Sequence, residues 1–162
     1  MRRRLKFYLD TSVFGSLFDF EDPRRVEITR SLLEEIKKTT FEAFISPLVV
    51  AEIGKAPYDV RSGLINAVAE FHLPVLNETE ESIKLAQDYI QEGIIPERFR
   101  DDARHIAIPV VYELDGLISW NYRHMVNIRV KRVVNAINLR LGYKPIEILS
   151  PEEVTDYGEV ES

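Results

Sequence analysis

Four positions in the chain carry oxygen-bearing side chains from which a reactive site can be built. Asp10 follows the apolar run Phe7-Tyr8-Leu9. Glu52 lies between Ala51 and Ile53. Asp102, with Asp101 beside it, precedes Ala103-Arg104-His105-Ile106-Ala107. Asn121 follows Leu117-Ile118-Ser119-Trp120. Carboxylates brought together oppose one another's ionisation. Hard divalent cations relieve that opposition: Mg²⁺ and Mn²⁺ favour carboxylate oxygens and water, and need neither thiolate nor imidazole. A cation held in this way orients a phosphodiester, activates water and offsets charge on the leaving oxygen. Asp10, Glu52 and Asp102 are therefore the expected metal ligands, with Asn121 as a weaker or water-mediated fourth. Thr11 and Ser12 are placed to hydrogen-bond an acid or a metal-bound water, and Asp101 is a possible auxiliary acid.

The surrounding pattern has to bring these positions to one place. Leu5 to Leu9 reads as a central strand, nearly all apolar and so covered on both faces. Thr11 to Phe18 is a short helix or turn. Asp22-Pro23 starts a helix over Arg24 to Lys38, with Ile28, Leu32 and Ile36 on its inner face. Ala43-Phe44-Ile45 is a second strand, followed by Ser46-Pro47 and a helix over Leu48 to Ile53. Val60 to Phe71 is a further helix, and Pro74-Val75-Leu76 a third strand. Asn77 and Glu80 suggest a capping box for the helix carrying Ile83, Ala86 and Ile90, which stops at Gly93. Arg98 to Leu114 has the strongest helical spacing, kinked at Pro109. Leu117 to Trp120 is a fourth strand, Val126 to Leu141 a last helix, and Ile146 to Leu149 a last strand. Alternating strands and helices predict one α/β domain with a mostly parallel sheet of four to five strands. That domain spans 1–149, and an acidic C-terminal tail covers 150–162. In a parallel sheet, Asp10 and Asn121 lie at strand ends and the other acids on adjoining helices, so one crevice at the carboxyl edge can hold all four.

Composition bounds the alternatives. The 162 residues carry a net charge of −6, and no cysteine is available for disulfides, thiolate metal sites or nucleophilic catalysis. That absence fits a reducing, cytoplasmic setting. No apolar run reaches the roughly 20 residues needed to span a bilayer, and Asp10 interrupts any signal-like segment after Arg2-Arg3-Arg4. Charge is unevenly spread. Gly116 to Ile146 has no acidic residue but contains Arg123, Arg129, Lys131, Arg132, Arg140 and Lys144. Arg123, Arg129, Arg132 and Arg140 are candidates for holding a phosphate backbone, because sequence-independent nucleic-acid affinity comes from such cations. The plain alternative is a solvated helix face.

Each sharp reading has a plainer one beside it. Asp10 alone is explained equally well as a turn cap; its neighbours Glu52 and Asp102 favour a ligand. A partly buried Glu52 requires a metal or basic partner. Asp101 and Asp102 also suit a helix start. The histidines His72, His105 and His124 share no ligand spacing. His105 reads as structural, and His124 lies near enough to Asn121 to meet a phosphate. Trp120 reads as core.

The four segments Phe7-Tyr8-Leu9-Asp10-Thr11-Ser12, Ser46-Pro47 through Ala51-Glu52-Ile53, Asp102 to Ala107 and Leu117 to Asn121 resemble, in order and spacing, a PIN-domain protein of the VapC-like toxin ribonuclease family. The resemblance covers nearly the whole chain. It implies a three-layer α/β/α fold, a Mg²⁺- or Mn²⁺-dependent endoribonuclease with water as nucleophile, metal-binding roles for Asp10, Glu52 and Asp102, RNA as substrate, an antitoxin partner and a homodimer. The family's fourth acidic position falls here on Asn121, which adds no charge and cannot act as a base. Two rivals follow. One is a catalytically weakened PIN-fold module that binds RNA or protein. The other is a phosphotransferase using Asp10 as nucleophile, although Asp10-Thr11-Ser12 lacks the second acid two residues on.

Overall fold

Four short strands lie side by side, all parallel, in the order β2-β1-β3-β4: β1 (Lys6–Leu9), β2 (Glu42–Phe44), β3 (Gly116–Ile118) and β4 (Glu147–Leu149). They belong to a computed structural model that describes residues 3–155. Tyr8, Leu9, Leu117, Ile118 and Ile148 are fully or almost fully buried, as expected of strands covered on both faces. The register pairs Tyr8 with both Phe44 and Leu117, and Ile118 with Leu149. Carried past the strand ends, it sets Ser46, Asp10, Ser119 and Ser150 in one row along the carboxyl edge, every one of them buried.

The helices are α1 (Thr11–Gly15), α2 (Pro23–Lys37), α3 (Pro47–Gly54), α4 (Tyr58–Phe71), α5 (Glu80–Gln91), α6 (Arg100–Val111) and α7 (Ile128–Arg140), with a last helical segment over 151–155. α1 packs on α3 and α4, and α5 on α6 and α7. Parallel crossovers are right-handed almost without exception. The chain leaves β1 toward β2 through α2, and reaches β3 and then β4 in the opposite direction through α6 and α7. α2 therefore covers one face of the sheet and α6 and α7 the other, giving three layers. The direction of winding reverses between β1 and β3, and ligands of open α/β sheets collect at that switch point. Asp10 ends β1 there.

Several local expectations change. The third strand at Pro74–Leu76 is reduced to a single parallel bridge, Ile45 with Val75, held by Ile45 N–H to Pro74 O at 3.0 Å and Leu76 N–H to Ile45 O at 2.8 Å. Two bonds extend the β2 edge without building a ladder. The capping box is made by Thr79 and Ser82, not by Asn77 and Glu80; each side chain accepts the other residue's backbone N–H, at 3.0 and 2.9 Å. α6 starts at Arg100, after a 3-10 turn over Glu97–Phe99, and continues through Pro109, which leaves the carbonyl of His105 without its usual donor. β3 stops at Ile118, so Asn121 lies in the turn beyond the strand. The acidic segment from Ser150 begins as helix, with Val154 in the core; 156–162 lie outside the described residues. Among the described residues no helix is long and apolar enough to cross a membrane.

Gly116 is required by packing. A Cβ there meets the Phe7 ring at 2.7 and 2.8 Å, with the Glu147 carbonyl at 3.1 Å. Gly116→Ala forces Phe7 out of its well and costs about 1–3 kcal/mol, the usual range for overpacking. Urea unfolding of the variant reads that loss as a lower midpoint at unchanged slope.

Candidate active site

Asp10 is a charge-bearing group almost sealed from solvent, 3% exposed. Its carboxylate does not cap α1, which has no side-chain cap bond; that disposes of the turn-cap reading. Instead Ser12 Oγ donates to Oδ1 at 2.6 Å and Ser119 Oγ donates to Oδ2 at 2.7 Å. Each hydroxyl accepts in turn from the loop after β3: Ser12 Oγ from the Trp120 N–H and Ser119 Oγ from the Asn121 N–H, both at 2.9 Å. The acid, the start of α1 and the loop after β3 are thus one hydrogen-bonded unit across the switch point. Burial pushes the Asp10 carboxyl above its ordinary value. The His105 charge and the two hydroxyls oppose that rise, and the nearby Asp102 charge adds to it.

Glu52 and Asp102 each have a histidine. Glu52 Oε1 accepts from Thr11 Oγ1 at 3.0 Å and is bonded by His105 Nε2. Burial disfavours its charge, but His105, Thr11 and Lys55 together outweigh that and hold the carboxyl below the usual range. A carboxylate only accepts, so an N–H is assigned to Nε2, and Nδ1 lies 2.7 Å from Tyr8 Oη. The Tyr8 oxygen lies 2.7 Å from Ser46 Oγ, and burial raises the phenol's pKa, so it stays protonated. The basic partner that a half-buried Glu52 required is His105. Asp102, in the first turn of α6, accepts from His124 Nδ1 at 2.8 Å, and that imidazole packs on Phe99 with centroids 4.2 Å apart.

Not every expected residue joins. Asp101 turns to Arg104 at 2.8 Å, and Arg104 also holds Glu78; Asp101 is an ion-pair residue of the helix surface. Asn121 Oδ1 accepts the His124 N–H at 3.0 Å, so its amide oxygen closes the turn that presents His124. The basic set is dispersed. Arg123 lies beside His124, Arg129 and Arg132 are exposed on the first turns of α7, and Arg140 pairs with Glu92 at 2.8 Å. Arg140 stands at the other end of α7, roughly 18 Å along the axis from Ile128 at 1.5 Å per residue. Trp120 is core, its Nε1 donating to Thr29 at 2.9 Å. Among the described residues, no three acids, histidines or cysteines form a group able to enclose a metal ion.

Ser119 was the significant omission. Its signal was present: aligning the carboxyl ends of parallel strands sets it level with Asp10. The pairing of His105 with Glu52 and of His124 with Asp102 joins residues from different elements, and no sequence period announces it.

No protein-family model matches the chain, and no curated protein matches it. A solved structure does: a chain in the crystal structure of VapBC2 from Rickettsia felis bound to a DNA fragment from their promoter, at 14% identity and a TM-score of 0.55 over 90% of this chain and 98% of that one. At that identity the likeness shows the fold, a PIN-like three-layer α/β/α arrangement.

The elevated Asp10 pKa has a sign for stability. Between the ordinary carboxylate value and the raised folded one, the folded state holds more protons, so stability falls as pH rises through that window. At neutral pH the charge is a burden of about 1.4 kcal/mol per unit of elevation. Asp10→Asn, which keeps an oxygen for one serine hydroxyl and donates its NH₂ to the other, therefore raises Tm at pH 7, and the gain shrinks as pH drops below the Asp10 pKa. Calorimetric melts across pH 3–8, an experimental window of roughly this span around carboxylate titration, read it directly.

Proposed function

We propose that this chain is a divalent-metal-dependent endoribonuclease of PIN type, the toxin of a type II toxin–antitoxin pair acting in the cytoplasm. The observation that carries the reading is Asp10, a buried carboxylate fixed at the switch point and electrostatically coupled to Asp102. The donor chemistry fits Mg²⁺ or Mn²⁺. Asp10 and Asp102 supply hard carboxylate oxygens, with Glu52 oriented toward Asp10's neighbour Thr11. Asp10 is almost sealed while Asp102 and Glu52 are partly exposed, and a cation that keeps several waters needs only one or two protein carboxylates. Such an ion, when bound, supplies Lewis-acid polarisation of the phosphate and a water of lowered pKa. The chain's own part is positional. Ser12 and Ser119 hold Asp10, His105 and Thr11 hold Glu52 as an anion, and His124 aims Asp102. The solved structure with the same fold is of VapBC2 bound to promoter DNA, which supports an antitoxin partner here; a homodimer follows from the family resemblance alone.

One observation favours a second reading, a weakened module that binds RNA or protein without cutting. Asn121 adds no charge, and its amide oxygen is engaged by the His124 N–H. Cleavage of single-stranded RNA by the purified chain separates the two. Wild type cuts in Mg²⁺ or Mn²⁺ and stops in EDTA; Asp10→Asn loses at least about a hundredfold of the rate, on the scale of removing a dominant electrostatic group. No metal-dependent turnover by wild type establishes the module. Asn121→Asp keeps the turn bond and adds a charge in the turn that presents His124 to Asp102, so calorimetry shows tighter Mn²⁺ binding; unchanged or weaker binding means that Asn121 does not face the site.

A further inference from the structure

Arg98 and Arg123 come from separate segments and share one aromatic ring. The guanidinium carbon of Arg98 stands 5.0 Å from the Phe99 centroid, and that of Arg123 stands 5.3 Å from it. The same ring packs on His124, whose Nδ1 donates to Asp102. The two cations are thus linked, through Phe99 and His124, to Asp102, one of the acids of the candidate site. Both side chains are exposed.

Among the described residues Arg24, Arg25, Arg100, Arg104 and Arg140 each meet a carboxylate, whereas Arg98 and Arg123, like Arg30, Arg61, Arg129 and Arg132, have none within ion-pair distance. The shared Phe99 ring is what sets these two apart from the other unpaired arginines. Two guanidiniums gathered on one ring repel each other, and an anion between or beside them removes that repulsion. The ring holds both planar forks by cation–π contact, so little freedom remains to be lost on binding. A guanidinium fork matches the oxygens of a phosphate in a bidentate fashion. Through Phe99 and His124 the two exposed cations stand close to Asp102, so a polyanion that lies at the acids reaches them with a neighbouring phosphate.

We propose that Arg98 and Arg123, ordered by Phe99, form a subsite for a backbone phosphate of the RNA strand adjacent to the one at Asp10 and Asp102. The identity of the strand rests on the nuclease reading; the anion site rests on the two arginines.

The test is fluorescence anisotropy of a labelled oligouridylate with the full chain in EDTA, where a metal-dependent nuclease does not turn over. Arg98→Ala/Arg123→Ala loses at least about tenfold in affinity, and the slope of log K against log salt becomes shallower by at least about 0.7, one phosphate's worth on a single strand. Arg98→Lys/Arg123→Lys keeps the slope and loses part of the affinity, because an ammonium cannot make the bidentate contact. Lys37→Ala/Lys38→Ala removes the same charge at the far edge of the sheet and leaves both nearly unchanged. In a cleavage assay the alanine pair raises KM and spares kcat. Wild-type affinity and slope in the alanine pair overturn the proposal, as does an equal loss in the far-edge pair, no binding by wild type, or equal competition by inorganic phosphate and RNA at matched charge. Reduced binding in the alanine pair with no cleavage by wild type keeps the subsite and removes the nuclease reading. Undiminished binding in a protein that does cleave has the opposite meaning.

Discussion

The buried carboxylate of Asp10 constrains the rest of the molecule. A charge with almost no access to solvent has to be met by donors, and here two serine hydroxyls meet it from opposite sides of the switch point. Those hydroxyls are themselves fixed by the backbone of residues 120 and 121. The loop after β3 therefore cannot move without disturbing the acid. That loop also carries the turn that presents His124 to Asp102. The position of one side chain is transmitted through four hydrogen bonds to an acid on another helix.

Electrostatics at the three acids is divided unequally. Glu52 is held as an anion by His105, while Asp10 is pushed toward its neutral form by burial. Neighbouring acids with opposed tendencies give a site whose charge depends on what enters it, since any cation approaching Asp10 favours the form that burial opposes. The histidines contribute by orientation. His105 is locked between Tyr8 and Glu52, and His124 between Phe99 and Asp102. Each is immobilised by an aromatic group on one side and a carboxylate on the other.

Much of this was legible in the sequence, because the strongest signals are local. Apolar runs stopped by Asp or Ser gave the strands that carry the site, and Asp22-Pro23 and Ser46-Pro47 marked helix starts that hold to within a residue. The third strand is reduced because its partner Ile45 lies between the end of β2 and the Ser46-Pro47 helix start, and two hydrogen bonds do not make a ladder. The capping box moved by two residues because several polar side chains compete there, and Thr79, with the extended backbone that capping needs, directly precedes the first residue of α5. Asp101 and Asp102 are adjacent, so spacing could not divide their roles; Arg104, one turn on, claims the first. Partnerships between elements, such as Glu52 with His105, depend on crossing geometry, which no periodicity encodes.

Along the carboxyl edge the sheet presents Ser46, Asp10, Ser119 and Ser150, one charge among three hydroxyls. The remaining acids arrive on α3 and α6, each met by a residue tied to the sheet or to the loop after it: Glu52 by Thr11 and His105, Asp102 by His124. Substitution on those helices can therefore change how many carboxylates face the edge while the strand ends stay as they are. The charge gathered there can drift, up or down, with the bonds among Asp10, Ser12 and Ser119 left in place.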